Sequence, residues 1–199
     1  MKPLTELEIA AWRQAERKRL LELRLSLSED IQRRAKPIAE KIEQLFELPS
    51  GLVISFYWPL PGEIDFLFWM KSLSAREVQI ALPVVISRAK PMEFRAWNPE
   101  SVMVAGKGNI PVPRDGLVVT PDVVIAPLVG FDAACYRLGY GTGCFDRTLA
   151  SLSPRPTVIG VGHGLCEIDD IHPLPHDVPM DLIVTGDAKV RYRKGYKPT

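Results

Sequence analysis

Residues 137–147 read RLGYGTGCFDR, with glycines at 139, 141 and 143. Alternating glycines allow successive backbone amides to turn toward one point, and a helix starting directly after them adds positive potential. The segment can therefore cradle a phosphate group. Arg137 and Arg147 can pair with phosphate oxygens, while Asp146 is the kind of hard oxygen ligand that shares Mg2+ with nucleotide phosphates. The GK[ST] ending of a Walker loop is absent, and the glycine interval is not that of a dinucleotide fingerprint. The same spacing also suits a tight glycine turn with a buried Arg–Asp pair. Spacing leaves both readings open.

Other residues with chemical potential are scattered. Arg13 and Arg17 stand four apart and share a helix face, with Arg24 near that face two turns onward. Such a stripe reads as a solvated basic face or a nucleic-acid contact. Glu63 in PGEID suits a helix start or a substrate acceptor, and Tyr57, Trp58, Phe94 and Trp97 suit either core or a flat apolar wall. Asp177 and Asp181 bracket Val178-Pro179-Met180, close enough for one of them to join Asp146 around magnesium. The ligand set carried forward is Asp146 with Asp181. His163, Cys166, His172 and His176 make a poor zinc set.

The elements that must position these groups alternate in type. Helical spacing covers residues 5–25, and a second helix is expected over 28–46 with Ser28 as its N-cap. Strands are expected over 52–58, 78–85 (interrupted by Pro83), 92–97, 101–105, 123–126, 157–161 and 182–185, and helices over 64–73 and 145–152. The glycine- and proline-rich stretch 106–116 reads as a loop or a flap. This order predicts one α/β domain over 1–199: a layered sandwich with a mixed, largely parallel central sheet, helices on both faces and an N-terminal helical hairpin.

Composition restricts the function classes. A hydrophobic share of 46% and a charged share of 25% are those of a globular chain. A formal net charge of +1 argues against a surface built for nucleic acid, so any polyanion site must be local. No run approaches the roughly 18 apolar residues of a membrane span. The three cysteines, Cys135, Cys144 and Cys166, show no CxxC spacing, and reduced cytoplasm is the simplest compartment.

Taken in order, YWPLPGEID at 57–65, ALPVV at 81–85, FRAW at 94–97, PLVGFD at 127–132, the glycine segment and HDVPMDLIVT at 176–185 resemble the 5-formyltetrahydrofolate cyclo-ligase family. The resemblance implies an ATP- and Mg2+-dependent ligase that closes a reduced folate, a small-molecule substrate, as a monomer without nucleic-acid or membrane partners. It implies that Arg13, Arg17, Arg137, Leu138, Gly139, Tyr140, Gly141, Thr142, Gly143 and Asp146 hold ATP, with Arg137 and Asp146 acting in catalysis. Tyr57, Glu63, Trp97 and Cys144 fall to the folate. Arg24-Leu25-Ser26 matches the family element that follows the basic pair. Four positions depart from the pattern: Cys135 replaces a glycine, Cys144 an aromatic that meets folate, Cys166 a glutamine and Val112 an acid.

Overall fold

The structure, a computed structural model, describes residues 4–87 and 89–198. Helix α1 (Glu6–Ser26) opens on a capping box: Thr5 Oγ1 accepts the Glu8 amide, and the Glu8 carboxylate accepts the Thr5 amide. The expected second helix is two, α2 (Ser28–Arg33) and α3 (Ala35–Leu45), separated at Arg34. Pro37 explains the break. It lacks an amide, and its ring clashes with the carbonyl four residues back unless it sits in a first turn, which is where α3 places it. Leu27 holds the cap position of α2, and the Ser28 side chain lies outside the described residues.

The chain continues as β1 (Val53–Ser55), α4 (Leu67–Ala75), β2 (Gln79–Val84) and β3 (Glu93–Trp97). Pro83 is accommodated inside β2 because it lies past Ser55↔Ala81, the last register pair with β1. Of the stretch 106–116 expected as a loop or a flap, 106–110 connects a hairpin in which β4 (Met103–Ala105) pairs antiparallel with β5 (Pro111–Pro113). Next come β6 (Val118–Val119), β7 (Val123–Pro127), the small antiparallel pair β8 (Gly130–Phe131) and β9 (Arg137–Leu138), and α5 (Cys144–Ser151). The chain closes with β10 (Thr157–Gly162), β11 (Leu182–Thr185) and β12 (Val190–Tyr192).

The eight-stranded sheet has the order β12-β11-β10-β7-β1-β2-β3-β6. Its centre, from β11 to β2, is parallel, and β12, β3 and β6 are antiparallel additions. Strand alternation separates two cores. Val123 and Ile125 of β7 face one cluster with Ile38 and Ile42 of α3 and Trp69 and Leu73 of α4; Val124 and Ala126 face the other with Leu20 of α1 and Leu149 of α5. The hairpin of N-terminal helices thus straddles the sheet, with α1 against one face and α3 against the other. From β1 the chain moves outward to β2, and only later builds β7 on the other side. That reversal opens a crevice at the carboxyl ends of β1 and β7, where ligands bind in open α/β sheets. Among the described residues, no helix is long and apolar enough to cross a membrane.

Candidate active site at the sheet switch point

The glycine segment leaves β9, turns through Gly141 at φ 86° and Gly143 at φ 62°, and enters α5 at Cys144. Both angles are left-handed, which side chains with a Cβ adopt only at a cost. Gly139 serves by close approach: a Cβ there would lie 2.7 Å from Arg137 Nη1. No side chain caps the start of α5, so its first-turn amides remain available to an anion.

The cations around this loop divide into two kinds. Arg17, half-buried on α1, donates Nε–H to the Gly139 carbonyl at 2.6 Å, and its guanidinium carbon lies 3.2 Å from where a Gly141 Cβ would be. Its two terminal nitrogens meet no acceptor among the described residues. Burial and then the neighbouring charge of Arg13 lower its proton affinity below the ordinary guanidinium value. Arg13 is bound elsewhere. It forms a bidentate pair with Asp177, at 2.6 Å and 3.4 Å, and also donates to the Ile171 and His172 carbonyls. Burial pushes the Asp177 carboxyl up, but hydrogen bonds from Arg13 and the Leu174 amide outweigh it and leave the group below its ordinary value. The structure thus brings Arg17 to the loop and gives Arg13 a clamp between α1 and the 171–177 segment.

Arg137 and Asp146 pair at 3.0 Å, with the guanidinium buried and stacked 4.7 Å from the Phe145 ring centre. Asp146 also accepts the Val178 amide, while Arg137 Nε is buried without a hydrogen-bond partner among the described residues. Burial lowers the proton affinity of Arg137, against the pull of Asp146. The buried pair and the open loop are therefore both present. Leu138 is core beneath them, and Thr142 offers its carbonyl to Arg147 at 2.9 Å.

The loop reaches Glu63 through Tyr140. Its hydroxyl donates to Glu63 Oε1 at 2.8 Å, and Glu63 Oε2 accepts the Leu60 amide at 2.8 Å. Arg24, buried at the end of α1, donates to the Gly62 and Leu128 carbonyls and to the Tyr140 oxygen, and stands 3.7 Å from Glu63 Oε1. Burial raises the Glu63 carboxyl above its ordinary value, opposed by the Leu60 amide, the Tyr140 hydroxyl and Arg24. Burial likewise raises the Tyr140 phenol to about 12, so it stays a donor. Tyr57 follows β1, donates its hydroxyl to the Ile64 carbonyl and lines one cleft with Arg24, Glu63, Leu128 and His163. His163 Nδ1 accepts the Leu165 amide, which leaves Nε2 to donate to Asp30 at 2.9 Å.

Two expected site residues lie elsewhere. Trp97 pairs with Ile80 near the start of β2; because β3 runs antiparallel, its last residue falls at the opposite end of the sheet from the crevice. Asp181 is buried with both oxygens engaged, accepting from Arg155 and Arg193 on one and from the Val158 amide on the other. It locks β10 to the chain before β11, and its side chain is 4% exposed against 17% for Asp146. Cys144, half-buried as the first residue of α5, faces Arg147 at 3.7 Å. Sequence reasoning did not place Arg24 beside Glu63 and Tyr140, although its place in the element after the basic pair was a signal. His163 carried no comparable signal beyond lying at a strand end.

Comparison with known proteins points one way. The model of the 5-formyltetrahydrofolate cyclo-ligase family matches residues 9–186. The 5-formyltetrahydrofolate cyclo-ligase of Mycoplasma pneumoniae is 29% identical over 177 residues, covering 86% of this chain and 96% of that protein. The Mycolicibacterium smegmatis enzyme of the same name is 31% identical, covering 68% of this chain and 74% of its own length. Among solved structures, Aquifex aeolicus 5,10-methenyltetrahydrofolate synthetase superposes with a TM-score of 0.78 at 26% identity, covering 94% of this chain and 95% of that one. The glycine loop, the switch-point crevice and a family match spanning nearly every element make this chain a member of the 5-formyltetrahydrofolate cyclo-ligase family.

Proposed function

We propose that the protein closes 5-formyltetrahydrofolate to 5,10-methenyltetrahydrofolate at the expense of ATP, releasing ADP and phosphate, as a single-domain cytoplasmic monomer. The observation that carries this reading is the Tyr140–Glu63 hydrogen bond of 2.8 Å, which joins an anion-binding glycine loop to a buried carboxylate in one crevice. A carboxylate there can accept the amino and ring N–H groups of a pterin, giving orientation as well as affinity.

The γ-phosphoryl group passes to the formyl oxygen, which turns that oxygen into a leaving group. The neighbouring secondary nitrogen then attacks the formyl carbon, phosphate departs with its oxygen, the nitrogen loses its proton and the methenyl bridge closes. No covalent protein nucleophile is needed. The chain aligns donor and acceptor: Gly139, Gly141, Gly143 and the amides opening α5 receive phosphate oxygens, Arg17 offsets their charge, and Glu63 fixes the pterin. Arg137, beneath Gly139, adds positive potential from below.

Among the described residues no three His, Cys, Asp or Glu side chains gather as a metal site. Mg2+ with a nucleotide needs only one or two carboxylates, since phosphates and water complete its shell. Asp146, at the loop exit, fits that role and would hold the ion, which supplies charge neutralisation on the phosphates.

Mixing protein, MgATP and 5-formyltetrahydrofolate should give growing absorbance of the methenyl product. Bound ATP without that absorbance overturns the folate assignment. A reshaped substrate pocket is the second reading, and Cys144 in place of an aromatic is what favours it.

A further inference from the structure

We propose that Arg24 and Tyr140 are positioning residues that hold Glu63 as an ionised, aimed acceptor, so that a residue of the nucleotide loop governs the grip on the folate. The inference rests on the folate reading above and adds to it two residues that touch Glu63.

The geometry is specific. Glu63 is buried, which favours a neutral carboxyl, and a neutral carboxyl would present a donor where a pterin also presents donors. Among the described residues, the groups that favour the ionised form are the Leu60 amide on Oε2, the Tyr140 hydroxyl on Oε1, and Arg24 at 3.7 Å. Of the other neighbours, Tyr57 donates to the Ile64 carbonyl, Gln32 from α2 donates to the Glu63 backbone carbonyl, Asp65 lies two residues along and His163 lines the same cleft. None of these donates to the carboxylate. Arg24 also fixes the frame, because one guanidinium ties α1 to Gly62, to Leu128 after β7 and to Tyr140 of the loop. Tyr140 stands between two glycines of the loop, yet its hydroxyl meets Glu63 and Arg24.

The test uses Tyr140→Phe and Arg24→Lys in the full chain. Tyr140→Phe keeps the ring and removes one hydrogen bond to a charged group, so the KM for 5-formyltetrahydrofolate should rise about tenfold while that for MgATP stays within about twofold. Tyr140→Phe removes a donor to the ionised form and Arg24→Lys moves the nearby charge from its 3.7 Å position, so the acid limb of kcat/KM for folate should move to higher pH in both variants and be lost in Glu63→Gln. A purely structural role would not move that limb. An unchanged folate KM with the limb where the parent has it, in both variants, overturns the proposal. Should the parent turn over no folate, the reaction assignment fails separately. The infrared carboxyl band of Glu63, assigned by its absence in Glu63→Gln, still decides: protonation at higher pH in Tyr140→Phe upholds the positioning role, and protonation at the parent's pH overturns it.

Discussion

Arg13→Ala and Arg17→Ala, equivalent by sequence spacing, should behave oppositely. Arg13 makes an ion pair with Asp177 in which both side chains are 14% exposed, and it holds two backbone carbonyls besides. Cutting it leaves a nearly buried carboxylate short of its main partner. Breaking a fully buried pair costs about 3–5 kcal/mol, and residual exposure reduces this to roughly 2–3 kcal/mol. For a chain of this length that corresponds to a fall in Tm of about 5–10 °C. Among the described residues Arg17 makes one hydrogen bond, to the Gly139 carbonyl. Its removal should cost under about 1 kcal/mol of stability, yet it deletes the half-buried cation above the phosphate loop. Charge-assisted contacts of this kind contribute about 2 kcal/mol, a loss of roughly thirtyfold in ATP affinity. Thermal unfolding by circular dichroism and calorimetric titration with a non-hydrolysable ATP analogue separate the two. The reasoning fails if Arg13→Ala loses nucleotide affinity at unchanged Tm, or if Arg17→Ala binds the analogue as the parent does.

Gly141→Val places a branched side chain at φ 86° and 3.2 Å from the Arg17 guanidinium, so ATP binding should fall below calorimetric detection while circular dichroism shows the fold retained. Asp181→Asn should cost about 2–3 kcal/mol, read as a lower denaturation midpoint, because Arg155 and Arg193 lose their charged acceptor; the Mg2+ dependence of the rate should not move. Glu63→Gln bears on pH. Burial raises the folded carboxyl, so in the parent stability falls as pH rises from the unfolded value of 4.5 through the folded one, and the variant's unfolding free energy should be flatter across that window. Cys144→Tyr should restore a stacking surface and lower the folate KM about fivefold, with the ATP KM unchanged.

How much was legible depends on the range of the interaction. Local rules succeeded where the parallel strands after residue 50 are apolar runs and the glycine loop announces its turns; the break before Pro37 was missed in the single helix expected over 28–46, although covalent geometry dictates it. Long-range pairing was not legible. Nothing near Arg13 distinguishes it from Arg17; what does is Asp177, 164 residues away. Trp97 was misplaced because an aromatic in a strand reveals its face but not which end of the sheet it reaches, and that follows from β3 running antiparallel. Asp181 has the right chemistry for a metal, but its partners Arg155, Arg193 and the Val158 amide are set by distant pairing that sequence spacing does not reveal. Strands of two or three residues, such as β6 and β12, are shorter than any periodicity can register.

The four departures from the family pattern do not weigh equally on the substrate question. Cys135 replaces a glycine where φ is 67°, so the substitution is strained, and the strain is held by hydrogen bonds on both sides: its amide donates to the Asp132 carbonyl and its carbonyl accepts the Met180 amide. Its thiol is buried and pushed up to about 11, chiefly by that burial, which leaves it an inert part of the core. Cys166 is buried in the same cluster, and Val112 packs in the β4–β5 hairpin rather than at the crevice. Only Cys144 is both partly accessible and at the mouth of the phosphate loop. Among these four positions the difference from the family pattern near the glycine loop therefore reduces to one missing ring, worth about 1 kcal/mol. A loss of that size weakens a substrate about fivefold and does not exchange it for another.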